Sequence, residues 1–482
     1  MKKIICKYIF FIVLLIFLGS CKKQIEVNAP ITSLTDENIY ASDKIASGVL
    51  TGIYADLSSN NSAFQDPALS NISLHAGLSG DELILFDLNN ITLIPYYIND
   101  LRGTESNDFW SYIYSMVFRC NAAIDGLTLS TTLTHGVKQQ LLGEAKFMRA
   151  FFYFYLINLY GDVPLALSTD YRLNAVLSRI KASQVYEQII SDLKDAQNML
   201  STDYVDSDVL KSSLERVRPS KGAATALLAR AYLYMTDYVN AEVEASKVIS
   251  NIALYDTVSL SNVFLANSNE TIWALQPVGL ASELAANTGD GLCFILPDAG
   301  PDDIAYPVYL SENIMNAFEP GDMRKKNWTS DVVTGGTIYN YAYKYKVGAS
   351  NTSTKEYTVL MRLAEVYLIR AEARANLNNL TGAAEDINIV RIRAGLLAIN
   401  NSTKDLMLNA ILHERQVELF TEMGHRWFDL KRTGKIDNVM QGIAESKSGL
   451  GWNPEKALFP IPQLEISNNV NLRGHQNPGY QE

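Results

Sequence analysis

The sequence predicts a mostly α protein: a scaffold of packed helix hairpins that carries long irregular loops and a few short strands. Three observations predict it. From Arg218 to Asn251, apolar and small residues fall at helical intervals. They are Ala223, Ala226, Leu227, Ala231 and Tyr234, then Ala241, Ala245 and Val248, with Asp237 and Tyr238 between the runs where a turn is needed. A second stretch, VLMRLAEVYLIRAEARANLNNLTGAAEDINIVRIRAGL, repeats the design. Between Lys138 and Tyr160 the chain is nearly apolar all round, as a helix in the middle of a core must be.

The hairpins carry a pattern of their own. Leu228-Ala229-x2-Tyr232 followed by Ala241-x3-Ala245 matches the tetratricopeptide order of leucine, small residue, aromatic, then alanine. Small residues let antiparallel helices approach, and one such hairpin cannot bury its own apolar face. Leu363-Ala364-x2-Tyr367 and Ala383-x3-Ile387 repeat the pattern. The interval between halves is longer in the second copy by close to two helical turns, which a longer first helix would absorb.

Along the chain, Lys2, Lys3 and Lys7 precede the apolar run Ile9–Leu18, so residues 1–20 read as a signal peptide. Leu18-Gly19-Ser20-Cys21 resembles the box at which bacterial lipoproteins are acylated, with Cys21 as the lipidated residue. Residues 21–30 read as a short linker. Cys120 and Cys293 are then too few for a disulfide framework, and Cys120 reads as a buried thiol. Helices are expected over Asn38–Leu57, Phe109–Leu127, Lys138–Tyr160, Val185–Leu200 and Asp405–Met423, with strands at Glu270–Gln276 and Asn340–Val347. The tail, Lys456–Tyr480, is rich in proline and asparagine and is expected to run extended over the surface. Residues 31–482 are taken as one domain, its scaffold lying near 38–57, 109–251 and 357–435.

Two regions break the helical pattern, near 58–108 and 257–356. The first holds Phe86, Asp87, Tyr96, Tyr97 and Arg102; the second holds Tyr306, Tyr309, Trp328, Tyr339, Tyr341 and Tyr343. Long irregular segments in a helical protein are functional or mobile as a rule. Rings among amides and carboxylates suit a sugar, whose C–H face stacks while its hydroxyls take hydrogen bonds. A surface loop with buried tyrosines would read the same way.

Motifs of catalysis are weak. His413-Glu414 would need a second histidine where Val417 stands, so no zinc site is expected. Glu414, Glu418 and Glu422 fall on one helix face; a glycosidase pair normally comes from separate elements across a cleft. With Arg391, Arg393, Arg415 and Arg426 available, a structural ion-pair network is the better account. The net charge of −11 and the lack of a basic aromatic stripe argue against nucleic acid.

Several stretches, in order, resemble the SusD/RagB family of Bacteroidota outer-membrane lipoproteins: GEAKFMRAFFYFYLINLYGDVPL, VRPSKGAATALLARAYLYMTDYVNAEVEASKVI, LMRLAEVYLIRAEARA, INIVRIRAGL, ILHERQVELFTEMGHRWFDLKRTGK and LFPIPQLEISNNVNLRGHQNPGY. The resemblance implies a SusD-like helical scaffold that packs on a SusC-like TonB-dependent transporter. Its variable loops would capture a nutrient, usually a glycan and sometimes a peptide, without catalysis. No cofactor or metal motif stands in the sequence, and an ion held among the loop aspartates would leave none. It implies a place on the outer membrane, facing the cell surface, although only Glu26 fits the acidic stretch that often follows the lipidated cysteine. It makes Glu414, Glu418, Arg426, Trp427 and Asp429 scaffold. By position it makes Tyr96 and Tyr97 ligand contacts, with Asp87 and Arg102 as polar partners and Tyr306 and Trp328 from the second region. Peptide capture, a transporter-binding scaffold without its own ligand, and a glycosidase using Glu414 or Glu418 are the competing readings.

Overall fold

The computed structural model describes residues 39–58, 69–103, 109–278, 288–348, 355–400, 402–448 and 451–481. Among these residues there are eighteen α-helices and eight short strands. Those of eight residues or more are α1 Asp43–Ser58, α2 Ile72–Ser79, α3 Phe109–Leu129, α4 His135–Tyr160, α5 Ala182–Met199, α6 Lys221–Tyr234, α7 Tyr238–Ile249, α8 Leu363–Asn376, α9 Leu380–Arg393, α10 Lys404–Leu419, α11 His425–Arg432 and α12 Ile436–Ser448. From α3 to α8 each helix packs on the next, and α9 and α10 close on α8. The fold is therefore mostly α, as the periodicity requires.

α4 is the central post. Phe151, Phe152, Tyr153 and Leu156 are fully buried, and Gly161, at φ 74°, ends the helix in a conformation that glycine adopts without strain. Cys120 on α3 is buried, and burial pushes its thiol up to about 12, which makes it an inert packing residue.

The two hairpins are in register at their turns, which corrects the sequence alignment of the repeat. α6 and α8 each have 14 residues. Each is followed by a residue of positive φ, Thr236 or Asn378, and then by a capping residue, Asp237 or Asn379. Asp237 accepts the Asn240 N–H at 3.2 Å, and Asn379 accepts the Gly382 N–H at 3.0 Å. Ala241 thus corresponds to Ala383, but Leu228-Ala229-x2-Tyr232 corresponds to Arg370-Ala371-x2-Arg374 rather than to the stretch at Leu363. Where the first hairpin buries Leu228 and Tyr232, the second uses Arg370 and Arg374 to clamp Asp386 of α9 at 2.6 and 3.0 Å. Arg374 also reaches Glu242 of α7 at 2.8 Å and ties the hairpins together.

Eight strands form four antiparallel pairs. β1 (Leu83–Leu85) pairs with β5 (Val308–Leu310), β2 (Val163–Pro164) with β3 (Arg179–Ile180), β4 (Thr271–Leu275) with β8 (Thr358–Arg362), and β6 (Thr329–Thr334) with β7 (Thr337–Ala342). The strand expected at Asn340–Val347 is instead β7, which ends at Ala342. The expected helix Asp405–Met423 also stops short, at Leu419, because Thr421 and Met423 take positive φ. Glu422 therefore lies in the turn after α10. The tail is not extended throughout, since Gln463–Asn468 is a short helix.

Candidate functional site

The scaffold delivers one polypeptide edge to the loop regions. Arg426 of α11 holds Asp81 through two contacts of 2.8 Å, and the Thr421 N–H donates to the Glu82 carboxylate at 3.2 Å. Lys447 of α12 donates to the carbonyls of Leu78 and Gly80 at 2.5 and 2.8 Å. These contacts fix the segment that becomes β1. β1 then pairs with β5, with Ile84 opposite Tyr309, and the Phe86 N–H extends the ladder to the Pro307 carbonyl at 2.8 Å. The two irregular regions of the sequence thus form one surface.

Turn chemistry shapes its rim. Asp87 accepts the Asn89 N–H at 2.9 Å, and the Asn90 side chain donates to the Asp303 carbonyl at 2.9 Å, bridging the regions. Asp302 accepts the N–H groups of Ile304, Ala305 and Tyr306. Burial acts to raise its pKa, but the three donors together hold the carboxyl below its ordinary value.

Aromatic rings stand on this frame. Tyr339 of β7 meets Phe86 and Tyr309 edge to face, with centroids 5.9 and 5.1 Å apart. Phe86 is 42% exposed, and Tyr309 and Tyr339 are half-buried. Beside them opens a cavity of about 610 Å³, lined among others by Tyr97, Tyr309, Asn313, Asn340 and Lys447. The hydroxyls of Tyr97 and Tyr309 and the amides of Asn313 and Asn340 make no hydrogen bond to another described residue. Burial, with Tyr309 close by, pushes the Tyr97 hydroxyl up to about 12, so it stays a donor at neutral pH.

The sequence-predicted residues divide. Tyr97 lies in the cavity wall, under the Lys447 ammonium at 4.8 Å from its ring centre. Asp87 and Tyr306 belong to the rim turns. Tyr96, no more buried than Tyr97, turns instead into the core, where its ring packs on His75 and Phe459 at 4.5 and 5.6 Å. Trp328 is core as well. Its ring is fully buried beneath Arg362, Arg393 and Lys344, and its N–H donates to the Leu260 carbonyl at 2.9 Å. Arg102 is exposed, pairs with Asp100 at 3.5 Å, and lines a separate cleft with Lys456 and Tyr480. Cys21 lies outside the described residues. Phe86, Tyr309 and Tyr339 were visible as aromatics in the right regions, but no sequence signal singled out Asn313 or Lys447.

Glu414, Glu418 and Glu422 form a buried ion-pair network. Arg324 contacts Glu414 and Glu418 at 2.5 and 2.9 Å, Arg362 contacts Glu418 and Glu422 at 2.5 and 2.7 Å, and Arg393 joins Glu418 to Glu270. Arg391 also reaches Glu414, at 3.2 Å. Arg415 and Arg426 pair elsewhere, with Asp429 and Asp81. Burial acts against charge on Glu418, but Arg393, Arg362 and Arg324 outweigh it and hold the carboxyl well below the usual carboxylate range. Glu414 and Glu418 are fully buried, so neither presents a carboxyl to a glycosidic bond.

Comparison with known proteins agrees with this architecture. A family model described as "SusD family" matches residues 311–480, and one described as "Starch-binding associating with outer membrane" matches residues 9–233. The chain is 29% identical to SusD-like protein P2 of Formosa agariphila, over 98% of this chain and 99% of that one. It is 24% identical to the starch-binding protein SusD of Bacteroides thetaiotaomicron, over 70% of this chain and 72% of that one. Among solved structures, a SusD-like protein from Bacteroides fragilis superposes with a TM-score of 0.75 at 20% identity, covering 94% of this chain and all of that one. A laminarin-binding SusD-like protein superposes with a TM-score of 0.72 at 22% identity, covering 90% of this chain and 99% of that one. The chain is thus SusD-like along most of its length, with the two family models matching its two halves and SusD-like relatives aligning over nearly all of it.

Proposed function

We propose that this protein binds a nutrient glycan at the cavity beside Phe86, Tyr309 and Tyr339, and passes it uncleaved to a SusC-like TonB-dependent transporter in the outer membrane. The observation that carries the reading is the convergence of four unpaired neutral polar groups, on Tyr97, Tyr309, Asn313 and Asn340, next to a half-exposed aromatic run. Phenol and amide groups exchange hydrogen bonds with sugar hydroxyls, and the rings offer faces to the sugar C–H surface. The starch-binding and laminarin-binding relatives support the ligand class, and the outer-membrane wording of the family description supports the location. Cys21 would carry the lipid anchor, residues 21–30 would tether the body to the membrane, and residues 31–482 would act as one domain.

The test is affinity electrophoresis of the purified protein through gels containing single polysaccharides. Retardation by one glycan, reversed by its free oligosaccharide and lost in Tyr309→Ala, supports the reading. Uniform mobility over a broad panel overturns it and gives weight to peptide capture. Release of sugar by the protein alone would overturn the non-catalytic part. Copurification with a SusC-like transporter from the native outer membrane tests the delivery step.

A further inference from the structure

The distribution of charge narrows the ligand. The chain has 41 lysines and arginines, yet none lies between Lys44 and Arg102 and none between Lys247 and Arg324. These two cation-free stretches supply β1, the Phe86 turn, β5, Tyr309 and Asn313. β7, which supplies Tyr339 and Asn340, is also without lysine or arginine. The fold brings these stretches together, so the cations beside them come from elsewhere in the chain: Arg426, bound to Asp81, and Lys447. Acids remain: Asp87, Asp302 and Asp303 stand on the rim turns, and Glu312 lines the cavity.

Among the described residues lining the cavity, Lys447 is the lone cation, and it is already committed. It is 7% exposed, and its ammonium donates to the carbonyls of Leu78 and Gly80 while a third carbonyl, of Ser79, lies at 3.5 Å. A sulfate or carboxylate entering the cavity would lose water and meet acids without a guanidinium or free ammonium in return. Sites that read anionic groups present arginine forks or clustered lysines. Here the free donors are phenols and amides, which suit hydroxyls.

We propose that the glycan taken by this site carries no sulfate, uronate or other anionic group. The proposal rests on the glycan-binding reading above. It is tested on the full chain in detergent, with gels and titrations of laminarin, starch, xylan and galactomannan set against alginate, polygalacturonate and carrageenan. The neutral glycan that binds best is then compared with its own carboxymethylated form, so that the backbone is held constant. Expected are retention by a neutral glycan, at least about tenfold weaker binding of the carboxymethylated form, and affinity that holds between about 50 and about 500 mM salt. Asp303→Lys, at an exposed rim position, is expected to narrow the gap between the two forms. Retention by an anionic polysaccharide that fades with salt overturns this inference and leaves glycan binding standing. No retention by any polysaccharide overturns both.

Discussion

The network around α10 and the surface around Phe86 handle polar groups in opposite ways. Around α10, Glu414, Glu418 and Glu422 are buried and matched by Arg324, Arg362, Arg393 and Lys344. At the surface, no arginine lines the cavity among the described residues, and the groups left without a partner there are phenols, amides and the exposed Glu312 carboxylate. A saturated ion pair has nothing left to offer a ligand, whereas an unpaired phenol or amide at the edge of a cavity does. The most conspicuous carboxylates in the sequence therefore hold the scaffold, and the candidate site is marked by what the fold leaves unused.

The largest expected effect breaks the first half of that contrast. Glu418→Ala leaves Arg324, Arg362 and Arg393 facing a missing partner in a dry interior, at a cost of roughly 3–5 kcal/mol. Chemical denaturation should read that loss, while the folded fraction should still bind glycan. A variant as stable as the parent but unable to bind would move Glu418 into the site.

The next concerns the joint between the two regions. Glu82 sits at the root of β1, 2% exposed, and burial and then Asp81 push its carboxyl up to about 8. A folded-state pKa above the unfolded value means that folding takes up a proton between about pH 4.5 and about pH 8. The contribution of this group is thus present at low pH and is lost as pH rises through that window. Glu82→Gln should match the parent near pH 4, below the unfolded pKa, and melt higher than it at pH 8. Parallel melting curves at all pH values would show that Glu82 ionises freely.

The same contrast explains what the sequence disclosed. The helices follow from apolar spacing and turn residues, so α3, α4, α5 and both hairpins were legible within a few residues. The α10 boundary was not, because Thr421 and Met423 look helical until a φ of 52° or 47° is known. The ion-pair network was legible as carboxylates at helical spacing, but its main cations were not. Arg324 and Arg362 come from a short helix and a strand far from α10 in sequence. The site suffered most: Tyr96 and Tyr97 are adjacent and chemically identical, and only packing tells that Tyr96 faces His75 while Tyr97 lines the cavity. Trp328 resembled a platform because a tryptophan among loop residues gives no hint that it will lie beneath three cations.

Breaking the second half of the contrast should alter binding more than folding. Phe86→Ala removes a 42% exposed ring whose backbone N–H still completes the strand pair. Glycan affinity should fall roughly tenfold, equal to about 1.4 kcal/mol, with little change in melting temperature. Trp328→Ala should do the reverse, losing roughly 3–5 kcal/mol of stability as a filled core position empties. If Trp328→Ala kept its stability and lost its ligand, the core assignment of that ring would fail.

The smallest effect sharpens the comparison within the scaffold itself. The two hairpin turns are equivalent, but the positive-φ position is a threonine at 236 and an asparagine at 378. A β-branched side chain is strained in the left-handed region, whereas asparagine tolerates it. Thr236→Gly relieves that strain but gives the unfolded chain more freedom, so a net gain of about 0.5–1 kcal/mol is expected. Asn378→Gly has little strain to relieve and should change stability by only a few tenths of a kcal/mol. Both turns keep the capping carboxylate or amide one residue on, at Asp237 and Asn379, so the difference isolates backbone conformation. Equal responses in a denaturation series would mean that Thr236 carries no more backbone strain than Asn378.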